Sequence, residues 1–152
     1  MEYLNIFPYG EQKFSDVISV QNSTTKPPLV LVVDDDEDNL LLMTHVLDHL
    51  GFSWITAVDG ISALQKAQTA QPALILLDIL MPHMSGAEVL ARLKEDSTVK
   101  KIPVIAVTAL ANTSEREDLM LAGFDDYVSK PYMLEDVEAA LQRHLCLPAT
   151  VT

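Results

Sequence analysis

Five polar side chains stand where short strand-like stretches of this chain end. Asp34 and Asp35 follow Leu29-Val30-Leu31-Val32-Val33, and Asp78 follows Ala73-Leu74-Ile75-Leu76-Leu77. Thr108 follows Ile102-Pro103-Val104-Ile105-Ala106-Val107, and Lys130 follows Asp126-Tyr127-Val128-Ser129. Two or three carboxylates with one ammonium make a pocket of net negative charge. Crowded carboxylates repel unless water, a cation or a basic group offsets them. Hard oxygen donors suit Mg2+, with Mn2+ as a substitute, and not zinc, which takes His and Cys. Such a cation can neutralise charge on a transferring phosphoryl group. A carboxylate can also act as nucleophile and become an aspartyl phosphate. The lysine would pair with a phosphoryl oxygen and the threonine hydroxyl would donate to another.

These residues meet only if the strands are parallel. Between the strand-like stretches lie segments with helical spacing. Leu40, Met43, Leu47 and Leu50 precede a stop at Gly51, and Ala63, Leu64 and Ala67 follow a start at Asp59-Gly60. Capping boxes are expected at Ser85/Glu88 and at Ser114/Glu117, the latter opening a helix that stops at Gly123. A last helix over Leu134–Leu145 is expected to bury Val137, Leu141 and Leu145. With a second strand over Phe52–Val58, strands and helices alternate five times. That pattern implies an α/β fold, a doubly wound parallel sheet with helices on both faces. The strand ends then share one edge, where ligands of such sheets bind.

The chain has 152 residues, 49% of them hydrophobic, so one domain of ordinary size is expected. Residues 1–28 read as an N-terminal extension or linker, 29–146 as the folded domain and 147–152 as a short tail. A tail that short would leave no room for an output domain. The single cysteine, Cys146, excludes an internal disulfide, and no apolar run is long enough to span a bilayer. With no secretory signal read at the N-terminus, a cytoplasmic location is expected. The net charge is −12, from 10 basic and 22 acidic residues, which disfavours nucleic acid and anionic membranes as partners.

The motifs resemble the receiver domains of two-component response regulators over about Leu29–Leu145. The resemblance rests on Val32-Val33-Asp34-Asp35, on Leu76-Leu77-Asp78 with Met81-Pro82 and Gly86, on Val107-Thr108-Ala109, and on Tyr127-Val128-Ser129-Lys130-Pro131. It implies a five-stranded sheet in the order 2-1-3-4-5, the CheY-like arrangement. It also implies that Asp78 is the phosphoacceptor, fed by a histidine kinase or a histidine phosphotransfer protein. Asp35 would bind Mg2+ directly and Asp34 mainly through water, with Leu80 adding its backbone carbonyl. Thr108 and Lys130 would hold phosphoryl oxygens, and small Ala109 would leave room for them. Tyr127 would be the aromatic switch that turns inward, altering the surface of helix 4, strand 5 and helix 5 toward a downstream protein or a phosphorylation-dependent homodimer. The Lys130–Pro131 bond would be cis. Leu80 and Leu110 occupy the two positions that tune phosphoryl lifetime in the family; both are apolar, which implies slow decay. The chain would catalyse only its own phosphorylation and dephosphorylation.

Other polar groups carry less. Asp36, Glu37 and Asp38 extend the acid run but suit the positive end of a helix dipole better than a metal. His45 and His49 are four apart with no third ligand, so a solvated helix face is the better reading. His83 reads as a surface loop residue beside the pocket. The acid run is not a calcium loop, because Asn39 and His45 stand where Gly and Glu are required. Two rival functions remain: a Mg2+-dependent phosphohydrolase using Asp34-x-Asp36, and an adaptor that keeps the fold without phosphorylation.

Overall fold

Period-two alternation along the central strands decides where every helix goes. In this computed structural model, which describes residues 26–109 and 112–145, β1 spans Leu29–Val33, β2 Ser53–Ala57, β3 Leu74–Asp78, β4 Val104–Thr108 and β5 Asp126–Ser129. All pair in parallel, in the order β2-β1-β3-β4-β5. Successive side chains of a strand point to opposite faces. Leu31, Val33, Ile75, Leu77, Val104 and Ala106 therefore share one face, and Val30, Val32, Leu74, Leu76, Ile105 and Val107 the other.

Helices α2 (Gly60–Ala70), α3 (Gly86–Glu95) and α4 (Thr113–Ala122) cover the first face with Ala63, Ala67, Val89, Leu90, Leu93 and Leu119. Helices α1 (Glu37–Leu50) and α5 (Leu134–Leu145) cover the second with Leu40, Met43, Leu47, Val137, Ala140 and Leu141. The inner strands β3 and β4 are buried along their whole length. Each large core side chain contributes about 1.5–3 kcal/mol relative to exposure.

Most helix ends lie where the sequence places them. Asp36 caps α1, its carboxylate accepting from the Asp38 N–H at 2.8 Å, with Glu37 and Asp38 in the first turn. Gly51 ends that helix at φ +87°, a conformation costly for other residues. Asp59 caps α2, and Ser85 with Glu88 forms the expected reciprocal capping box.

Four expectations change. The box that opens α4 is Asn112/Glu115, not Ser114/Glu117. The Asn112 side chain accepts from the Glu115 N–H at 2.8 Å, and its own N–H donates to the Glu115 carboxylate at 3.3 Å. The Asn112 carbonyl takes the first helical bond, so Ser114 is already inside the first turn. Strand β4 starts at Val104, because Pro103 has no N–H to donate; the Val104 N–H goes instead to the Asp125 carboxylate at 2.8 Å. Strand β2 is trimmed to Ser53–Ala57, and Leu145 is only half-buried. The bulk of the 1–28 segment, Leu110, Cys146 and the 147–152 tail lie outside the described residues.

Asn112→Ala is expected to lower stability by about 0.5–2 kcal/mol, while Ser114→Ala stays near neutral. Urea unfolding of the two variants against the parent chain measures both, and the reverse ranking would restore the Ser114 cap.

Candidate functional site

At the C-terminal edge of the sheet, the register brings the polar residues together. Leu31, Val32 and Val33 stand beside Ile75, Leu76 and Leu77, so Asp34 and Asp78 both follow paired strand positions. Asp78 itself registers with Val107, the residue before Thr108, and Thr108 registers with Ser129, the residue before Lys130. Each strand thus delivers its polar residue to the same end. Backbone bonds hold these ends: the Ile79 N–H donates to the Val107 carbonyl at 3.2 Å, and the Lys130 N–H to the Thr108 carbonyl at 2.7 Å.

Asp34 and Asp78 are buried, and Asp35 is exposed beside them; the three offer carboxylate oxygens that all lie within 4.8 Å of one another. Lys130 bridges the two buried acids, its Nζ 3.3 Å from Asp78 Oδ1 and 3.4 Å from Asp34 Oδ2. The second Asp34 oxygen accepts from the Asp36 N–H at 2.9 Å. Thr108 is buried at the end of β4.

Burial, and then repulsion by Asp34, raise the pKa of Asp78; Lys130 and the Leu80 N–H pull it back only in part. For Lys130, burial disfavours the charged form, but the neighbouring Asp78 and Asp34 outweigh it and the pKa rises. The lysine therefore stays charged while Asp78 resists ionising. This donor set, the hard oxygens of three carboxylates against one ammonium, fits a small divalent cation such as Mg2+.

The remaining residues fall into place around this centre. Asp36 turns its carboxylate into the α1 cap and leaves the cluster, against an Asp34-x-Asp36 hydrolase site. Leu80 is exposed in the loop after β3. His83 is exposed in that loop at φ +69°, and His45 and His49 lie exposed on α1. Tyr127 is half-buried in β5 with the Arg116 guanidinium 5.3 Å from its ring centroid. The Lys130–Pro131 bond is cis.

Two residues matter that the sequence reading did not single out for a role. A Cβ on Gly86 would lie 2.6 Å from the Asp78 carbonyl oxygen and 2.8 Å from the Ile79 Cα, so only glycine lets α3 start this close to the acid's own backbone. Tyr132 donates from its hydroxyl to the Asn39 carbonyl at 3.3 Å, tying the loop before α5 to α1. Burial, with Asp34 nearby, pushes its phenol up to about 12. Gly86 had a signal, its place in the motif after Met81-Pro82. Tyr132 had none beyond being an aromatic next to Pro131.

A sequence model of the response regulator receiver domain matches residues 30–142. The chain belongs to this family. Receiver domains are the phosphorylation-type switches of two-component signalling, taking phosphoryl groups from histidine kinases. Relatives agree. The polar-differentiation response regulator DivK of Brucella anthropi is 40% identical over 90 residues, which are 59% of this chain and 73% of that protein. The hybrid signal transduction histidine kinase D of Dictyostelium discoideum is 38% identical over 85 residues, 56% of this chain but only 6% of that far longer protein.

Solved structures confirm the CheY-like fold. The chemotaxis protein CheY4 of Vibrio cholerae superposes with a TM-score of 0.73 at 31% identity, over 78% of this chain and 99% of that one. The receiver domain of a Pseudomonas aeruginosa sensor histidine kinase, with a magnesium ion coordinated in its active site cleft, gives 0.73 at 28% identity, over 80% and 99%. Receiver domains bind Mg2+ at an acidic pocket, and the Asp34, Asp35 and Asp78 cluster is the candidate for it here. Among the described residues no helix is long and apolar enough to cross a membrane.

Because the folded state favours protonated Asp78, it binds more protons than the unfolded chain, and stability must fall as pH rises from the ordinary carboxylate range through the raised pKa. Without divalent cations, Asp78→Asn is expected to stabilise the domain by about 0.5–2 kcal/mol at neutral pH, with the gain shrinking as pH drops. Denaturant midpoints across pH measure this. A variant less stable than the parent at neutral pH would contradict the repulsion.

Proposed function

We propose that this receiver domain is a phosphorylation-activated switch in which Asp78 is the phosphoacceptor. The observation that carries the proposal is the Lys130 ammonium held within 3.4 Å of both buried acids in a fold whose members accept phosphoryl groups. In the transfer, a carboxylate oxygen of Asp78 attacks phosphorus, the bond from phosphorus to the donor's histidine nitrogen breaks with its electron pair staying on that nitrogen, and the imidazole, carrying a proton on its other ring nitrogen, departs neutral. Asp78 becomes an acyl phosphate. Lys130 then loses one carboxylate partner and gains a phosphoryl oxygen, so its charge stays compensated. The Thr108 hydroxyl, at the end of the adjacent strand, donates to another phosphoryl oxygen.

Asp34, Asp35, Asp78 and the Leu80 backbone carbonyl would hold Mg2+, with Mn2+ as a substitute. When bound, the cation neutralises charge gathering on the phosphoryl oxygens. Added phosphate charge at the edge then favours an inward Tyr127 and a changed surface on α4, β5 and α5. The donor is a histidine kinase or a histidine phosphotransfer protein, and the output is a protein–protein contact, a second copy of the chain included, in the cytoplasm. Exposed Leu41 and Leu42 on α1, Leu80 after β3 and Met133 before α5 lie on segments that leave the reactive edge, and they give a donor protein apolar surface to rest on. In domain terms, 29–146 is the receiver and 1–28 an extension to it.

Acetyl phosphate with Mg2+ is expected to add one phosphoryl group to the parent chain and none to Asp78→Asn, read by intact mass. Labelling that survives Asp78→Asn but not Asp34→Asn would favour a hydrolase-like first-strand nucleophile instead. Once formed, the acyl phosphate is expected to decay slowly, because Leu80 cannot orient an attacking water. Leu80→Asn should shorten its lifetime several-fold, on the order of the gain a positioned polar group supplies. Equal lifetimes in a phosphate-release assay would remove Leu80 from this role.

A further inference from the structure

Arg116 occupies an unusual position on α4. Its guanidinium lies 5.3 Å from the centroid of the Tyr127 ring, inside cation–π range. Its Nε is buried and has no hydrogen-bond partner among the described residues. Among the described residues Arg116 forms no ion pair, although Glu115, Glu117 and Asp118 are its chain neighbours. An arginine on such an acidic surface would ordinarily pair with a carboxylate, and a buried unpaired N–H is disfavoured. The ring is thus the contact that accounts for where this side chain sits.

The dependence is mutual. Tyr127 belongs to an edge strand and is only half-buried, packed on one side against the core cluster beneath α2, α3 and α4. Arg116 lies over the ring face, and together with Thr113, Met120 and Leu121 the pair lines a groove of about 590 Å³ between α4 and β5. An inward turn of the ring must break the stack. In exchange, the freed guanidinium can reach water and satisfy Nε.

We infer that Arg116 is a positioning residue that holds Tyr127 in its resting place and so opposes activation at Asp78. This rests on Tyr127 being the switch. The opposition is modest, because release of the stack also relieves the unpaired Nε. That suits a restraint which phosphorylation must overcome.

The test is a titration of the full chain with beryllofluoride and Mg2+, following the Tyr127 ring by NMR, with its signals assigned through Tyr127→Phe. Arg116→Ala and Arg116→Gln are expected to bind about two- to fivefold more tightly than the parent, the size of a surface cation–π contact. Arg116→Lys, which keeps a cation over the ring, should return close to the parent affinity. In a Tyr127→Ala background, Arg116→Ala should change nothing. A merely structural role for Arg116 would weaken binding, the opposite sign. Unchanged or weaker binding in the Ala and Gln variants, or an equal gain without Tyr127, would overturn the inference while leaving the phosphoacceptor reading intact. A parent chain that binds no beryllofluoride, or binding that survives Asp78→Asn, would overturn that reading and the inference with it.

Discussion

The interaction on which the site depends is the bridge from Lys130 to Asp34 and Asp78. Two buried carboxylates on neighbouring strands repel, and burial together with that repulsion disfavours ionising Asp78. One ammonium on the far side of the sheet order offsets this, 3.3 and 3.4 Å from the two acids. The bridge spans the sheet from β1 through β3 to the loop after β5. Anything that shifts one strand end relative to another therefore acts on the charge balance of the site. Asp78 remains under-compensated, with its pKa raised, and that residual tension leaves the pocket suited to a cation and the carboxylate sensitive to what binds beside it.

The scaffold earns its rigidity from two apolar layers. Strand β1 feeds one layer with Leu31 and Val33 and the other with Val30 and Val32, and β3 and β4 do the same. These central strands are pinned by side chains above and below, so the edge they end in is rigid. The edge strand β5 is different: only Val128 is fully buried, and Tyr127 is half-buried under Arg116. The side of the site that carries Tyr127 and Lys130 is thereby the less buried one, while Asp34 and Asp78 stand at the ends of fully packed strands. Gly86 reinforces the fixed side, since α3 starts against the carbonyl of Asp78 itself.

Much of this was legible in the chain. Continuous apolar runs at Leu29–Val33 and Leu74–Leu77 can only be strands buried on both faces, and the helical segments between them force parallel crossovers. Parallel strands share one polarity, so Asp34, Asp78, Thr108 and Lys130 had to reach one edge whatever the details. Helix starts with a single good cap, such as Asp36, Asp59 and Ser85, were equally readable. At α4 the spacing pointed to Ser114, and the cap is Asn112, two residues earlier. In the folded chain the Asn112 side chain takes the Glu115 N–H and the Asn112 carbonyl takes the Arg116 N–H, which places the cap at Asn112.

What the sequence by itself determined is the fold class, the edge on which the polar residues meet, and the chemical character of that meeting. Each follows from local periodicity and from the fixed direction of a parallel strand. Only the tertiary structure decided the distances and the neighbours. Lys130 pairs with Asp34 across 96 residues of chain and with Asp78 across 52. Tyr132 reaches Asn39, Gly86 abuts the Asp78 carbonyl, and Arg116 lies over Tyr127. No spacing rule encodes such contacts, because each depends on how far two separately formed elements slide and rotate before their side chains close-pack.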